Sequence, residues 1–193
     1  MQKILSIDFD YFIDTTVEVR NNVFPDGVDE KNEVKMIADW VACYDENPEL
    51  LKIGVIQEDF INVCKHLVTI KCPVVVRNSH KDIEVLFREK GEYFIDHIDF
   101  HHDFYLGARP DVTDCSNWLR RVIEENPNSK VRWFRREDSE TSSILGEYPY
   151  ESYTKLQLED TYDYVFICFS PEWTPIHLQS LYDLMVRCAK YDK

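Results

Sequence analysis

Apolar and polar positions along this chain switch repeatedly between two periods. Short β-rich runs occupy residues 3–9, 51–56, 73–77, 93–100, 131–134 and 164–169, and each predicts a strand. Between them, residues 31–44, 59–68, 81–90, 115–125 and 175–189 carry apolar side chains three and four apart, the spacing of a helix with one buried stripe. Strands that alternate with helices predict βαβ units and a largely parallel sheet covered on both faces. The expected fold is therefore a three-layer α/β sandwich with a mainly parallel sheet, in a single domain spanning residues 1–193. The least regular stretch, residues 136–163, is predicted to be a long surface excursion, and such loops are often functional. Its tyrosines Tyr148, Tyr150 and Tyr153 either pack the excursion or grip a ligand.

In parallel sheets ligands gather beyond the carboxyl ends of the strands, and three polar segments fall there. The first is Asp99-Phe100-His101-His102-Asp103. In an extended chain alternate residues share a face, so Asp99, His101 and Asp103 project together while Phe100 and His102 project oppositely. The second is Ser6-Ile7-Asp8-Phe9-Asp10, in which Asp8 and Asp10 share a face after an apolar strand with no neutralising partner of its own. Buried like charges need a cation. The third is Ser79-His80, just after the run Pro73-Val74-Val75-Val76. Taken singly, each has a plainer explanation, since D-x-D pairs are common and a histidine after a strand often serves as a cap. Their shared position is what joins them. A mixture of carboxylate and imidazole donors suits Mn²⁺ or another borderline divalent ion. His66, His97 and His177 have no partner visible in the sequence and are expected to pack within helices or the sheet.

Composition narrows the functional classes. At 44% hydrophobic and 30% charged residues, with five Gly and eight Pro, the chain is globular rather than disordered or fibrous. A net charge of −14 argues against a nucleic-acid backbone as partner and favours cationic ligands, although acidic surfaces also serve solubility. Six cysteines without a CxxC pair point to reduced thiols, and no apolar run reaches signal-peptide or membrane-spanning length, so a cytoplasmic location is expected.

These segments resemble the metal-binding motifs of the ureohydrolases, the arginases and agmatinases. Members of that family bind two Mn²⁺ through a histidine after one strand, a D-x-H-x-D segment after the next and an S-x-D-x-D segment after another. This chain matches all six ligand positions, with S-x-D-x-D placed first instead of last, which implies an arginase-like fold with permuted motif order. The resemblance implies that Asp8 and Asp99 bridge the two ions, that His80 and Asp103 complete one shell, and that His101 and Asp10 complete the other. It is nearest to the small peptide arginases of ribosomal peptide maturation, which implies an arginine-containing precursor peptide as substrate and hydrolysis of its guanidinium group to leave ornithine. Glu172, in Ser170-Pro171-Glu172-Trp173, is the candidate to hold the guanidinium; it also fits the first turn of the last helix, and Glu58 is the second choice. The residues leave open a free-guanidine ureohydrolase, a metal-dependent amine deacetylase, and a non-catalytic acidic module that binds metal or basic peptide.

Overall fold

The structure is a computed structural model that describes residues 1–25, 33–87, 89–106, 112–141 and 150–190. Six strands form one all-parallel sheet: β1 Gln2–Asp8, β2 Val74–Arg77, β3 Tyr93–Ile98, β4 Lys130–Phe134, β5 Tyr150–Tyr153 and β6 Tyr164–Cys168, in the order β2-β6-β1-β3-β4-β5. Among the described residues, five α-helices accompany them: α1 Val17–Val23, α2 Glu33–Glu46, α3 Gln57–Thr69, α4 Trp118–Glu125 and α5 Gln179–Ala189.

Alternation along the strands divides the apolar side chains between two layers. Leu5, Ile7, Val165 and Ile167 pack with Met36 and Trp40 of α2, Phe60 and Val63 of α3, and Tyr182 and Met185 of α5. On the other face Ile4, Ile95, Val131 and Phe166 pack with Ile83 and with Trp118, Leu119 and Val122 of α4. Ile4, Leu5 and Ile7 are fully buried. At about 1.5–3 kcal/mol for each such side chain, β1 is firmly anchored in the centre of the sheet.

This topology places the functional crevice. The chain leaves β1 toward β2 on one side of the sheet, through α1, α2 and α3, and leaves β3 toward β4 on the other, through α4. Neighbouring parallel strands whose connections diverge open a crevice at their carboxyl ends. Asp8 ends β1 at one wall of it, and Asp99 follows β3 at the other.

Several expected elements differ. Residues 51–56 do not form a strand: Pro48 starts a 3₁₀ helix at Pro48–Lys52, and only Val55 makes an isolated antiparallel bridge, to Ile13. The short run is apolar because the partly buried Ile53 and Val55 pack on the first core, which needs no strand. The helix expected at 81–90 is a 3₁₀ helix, His80–Leu86. The excursion contains an edge strand, β5, whose Glu151 and Ser152 are exposed and so gave no apolar signal; its residues 142–149, Tyr148 among them, lie outside the described residues. Helix α1 was also unforeseen, with Thr16 capping it by accepting the Val19 N–H. No helix among the described residues is long and apolar enough to cross a membrane.

Candidate metal centre

All six predicted ligands converge in the crevice. His80 Nδ1 lies 3.2 Å from Asp8 Oδ2, 3.1 Å from Asp99 Oδ2 and 3.4 Å from Asp103 Oδ2. His101 Nδ1 lies 3.0 Å from Asp10 Oδ2 and 3.7 Å from Asp99 Oδ1. Asp99 thus turns one oxygen toward each histidine, and it belongs to two of the three groups of potential ligands among the described residues, one with His80, His97 and Asp103, the other with Asp10 and His101; the third joins Asp8, His80 and Cys168.

Local backbone chemistry explains why aspartates stand at these positions. The Asp8 Oδ1 accepts the Asp10 N–H at 3.1 Å, and the Asp99 Oδ1 accepts the His101 N–H at 2.7 Å, the same Asx turn after two strands. Asp8 Oδ2 is left to face His80, Cys168 and Ser170, at 3.2, 3.2 and 2.5 Å, with Ser170 Oγ donating. Ser170 (φ 46°) and Asp103 (φ 54°) adopt left-handed backbone, the two described non-glycine residues to do so, and both touch the cluster. Such conformations cost of order 1 kcal/mol and persist where surrounding contacts fix them. Asp103 is fixed by Trp118, whose Nε1–H donates to Oδ2.

His80 is held by its surroundings. Its Nε2 pairs with Ser6 Oγ at 2.7 Å, which leaves Nδ1 for the carboxylates, and its ring stacks on Phe166 and Trp118. Ser6 is the first residue of the S-x-D-x-D segment, so that serine orients the histidine supplied by another segment. Arg20, unforeseen because α1 was, is buried over the Phe100 ring at 4.1 Å. Its guanidinium donates to the Asp10 and Ile13 carbonyls and so fixes the 3₁₀ helix Phe9–Phe12 that presents Asp10.

Electrostatics shows what this cluster lacks. Burial, together with repulsion from Asp10 and Asp8, pushes the Asp99 carboxyl well above its ordinary range. Burial and the Asp99 charge do the same to Asp103. For His80, burial opposes the charged form, but the hydrogen bond to Asp8 and the Asp103 charge outweigh it and raise the pKa. Burial would likewise raise Asp10, yet His101 and Arg20 hold it low. Carboxylates this close and this dry call for a cation, and three-donor sets of carboxylate and imidazole can bind one. Buried Asp and His clusters in this crevice could therefore hold metal ions. No known protein family, curated protein or solved structure matches this chain.

The remaining candidates separate clearly. Glu172 is buried in the turn after β6, well before α5, so it does not belong to the first turn of the last helix. Ser170, two residues earlier, bonds Asp8, and Trp173, one residue later, lies with its ring 4.9 Å from that of His101, so this turn walls the cluster. Glu58 is exposed in the first turn of α3. His97, expected to pack in the sheet, instead points at the cluster, with Nε2 3.4 Å from Asp99 Oδ2. Its spacing, two residues before Asp99 in the same alternation, was the available signal. His66 and His177 do pack, His66 against Tyr162 and His177 between the Tyr44 hydroxyl and the Ile53 carbonyl.

His102 turns into the loop that follows. Its Nδ1 accepts the Phe104 N–H, its ring stacks on Tyr105, and burial, then the neighbouring His101, pushes its pKa down to about 4. His102→Ala is therefore expected to cost stability, about 1–3 kcal/mol as for other buried truncations, while leaving metal affinity within a few-fold. Chemical denaturation paired with calorimetric metal titration checks this. Loss of metal binding at unchanged stability would mean that His102 serves the cluster directly.

Proposed function

We propose that the protein is a binuclear metal hydrolase that converts arginine side chains in a precursor peptide to ornithine with release of urea. The observation that carries this reading is the division of Asp99, with Oδ2 beside His80 and Oδ1 beside His101, so that one carboxylate serves two adjoining ligand sets. In this reading His80 and Asp103 would hold one ion and His101 and Asp10 the other, with Asp8 and Asp99 available to both. When bound, two Mn²⁺ ions supply the Lewis acidity that makes water nucleophilic at neutral pH. The fold is then arginase-like, with the S-x-D-x-D segment moved to the first strand of the chain.

The protein's own groups account for the substrate. His101 is the most open member of the cluster, with 24% of its side chain exposed, against 6% or less for Asp8, Asp10, His80, Asp99 and Asp103. A guanidinium therefore approaches past His101, beside Trp173 and the turn that carries Glu172. The Glu172 carboxylate holds two guanidinium nitrogens through paired charge-assisted hydrogen bonds and fixes the carbon toward the ions. Free thiols on all six cysteines fit work in the reducing cytoplasm.

Incubation of the Mn²⁺-loaded protein with a short peptide containing an internal arginine is expected to give the mass of the ornithine peptide and stoichiometric urea. Free L-arginine should be used with a kcat/KM at least tenfold lower, because a site built to read a free α-amino and α-carboxylate would leave polar groups unpaired against a peptide backbone. Preference for free arginine would return the protein to the free-guanidine ureohydrolases. No turnover of any guanidine or amide with metal bound would favour the binding module.

A further inference from the structure

His97 stands outside the six-ligand pattern, yet its position is that of a ligand. The ring is fully buried in the middle of the sheet, and neither nitrogen has a hydrogen-bond partner among the described residues. An imidazole without such partners is costly in a dry interior, of order 1–3 kcal/mol for each unsatisfied group, and sheet packing alone gives no reason to place it there. Strand register explains its aim. His97 lies opposite Ser6 on β1 and opposite Trp133 on β4, on the same face as Asp8, so its side chain shares the crevice with the cluster.

The distances are those of a coordination shell. His97 Nε2 lies 3.4 Å from Asp99 Oδ2 and 3.7 Å from Asp103 Oδ2, while His80 Nδ1 lies 3.1 and 3.4 Å from the same two oxygens. All four donor atoms fall within 4.8 Å of one another, and all four residues are buried. Four donors at the usual 2.0–2.2 Å from a tetrahedral ion would be separated by about 3.3–3.6 Å. We propose that His97 is a seventh metal ligand, so that the inner of the two positions has two histidines, His80 and His97, beside Asp99 and Asp103, while the outer one, with Asp10, Asp99 and His101, has a single histidine and Asp8 stays shared between the two.

Inequality of the two positions follows. Two imidazoles favour Mn²⁺, Fe²⁺, Co²⁺ or Zn²⁺ over Mg²⁺ and Ca²⁺, whereas a carboxylate-rich set discriminates less. The inner position should fill first and exchange last.

This inference rests on the metal-binding part of the proposed function and not on its guanidinium chemistry. The test is spectroscopic, because loss of affinity alone would also follow from a histidine that merely orients Asp99. The metal-free full chain is given one equivalent of Mn²⁺, and electron spin-echo spectroscopy counts imidazole nitrogens coupled to the ion. Two imidazoles are expected in the wild-type protein, and one in His97→Phe, with first-equivalent affinity at least tenfold weaker and selectivity for Mn²⁺ over Mg²⁺ reduced. One imidazole in the wild-type protein overturns the proposal, a result that needs no folded variant. Two in the wild-type protein and in a folded His97→Phe does the same. No bound Mn²⁺ at all would sink the metal centre together with its seventh ligand. Two imidazoles without turnover of arginine peptides would remove the proposed reaction and leave His97 as a ligand.

Discussion

Asp99→Asn is expected to lower kcat on an arginine peptide by about 10³-fold or more, with the fold intact. Asparagine keeps the volume of the side chain and a carbonyl oxygen able to accept the His101 N–H, so the turn after β3 survives. What it loses is the anion shared by the two ligand sets. Lewis acidity is worth several kcal/mol of transition-state stabilisation, and about 1.4 kcal/mol is a factor of ten, hence the magnitude. Asp8→Asn should behave alike, because Asp8 Oδ2 faces His80 from the opposite strand. Steady-state kinetics with circular dichroism as the fold control decides the matter. If either variant kept more than a tenth of wild-type kcat at saturating Mn²⁺, bridging by these carboxylates would have to be abandoned.

Metal removal should have a comparably large effect on stability. Asp8, Asp10, Asp99 and Asp103 are buried within one small volume, and although His101 and Arg20 hold Asp10 low, burial and mutual repulsion still push Asp99 and Asp103 well above the ordinary range. An ion present at about a thousand times its dissociation constant stabilises the folded state by about 4 kcal/mol, which for a domain of this size raises Tm by roughly 8–16 °C. Scanning calorimetry with chelator and then with Mn²⁺ is expected to show that rise in the wild-type protein and most of it gone in Asp99→Asn. Identical melting with and without Mn²⁺ would show that the carboxylates settle their repulsion by protonation instead.

Much of this was legible in the residues because period and position carry physical information. Five of the six strands announced themselves as β-rich runs, and the D-x-H-x-D and D-x-D segments were found where a parallel sheet presents ligands. The failures have definite causes. β5 pairs at the sheet edge with Glu151 and Ser152 outward, so its backbone hydrogen bonds, invisible in a hydropathy pattern, define it. Residues 51–56 are apolar for contacts made around a 3₁₀ helix. His97 was set aside because a lone histidine has no partner in sequence; its partners are Asp99 and Asp103, and the latter reaches it only because the backbone at Asp103 turns left-handed. Arg20 depends on a helix too short to show a clear stripe.

The last strand in chain order, β6, lies between β1 and β2, and its pairing joins residues 4–8 to residues 164–168. Asp8 accepts from Cys168, 160 positions later in the chain. At about 5–20 residues per second, a ribosome takes roughly 8–30 s to make that stretch. For that time the nascent sheet carries an open slot beside β1, the kind of edge that other chains can pair with. Contacts of such long sequence separation also slow folding after synthesis ends. Asp8 meets Ser170 only when the slot is filled, so the cluster of carboxylates is completed only after the strand made last has paired with the strand made first.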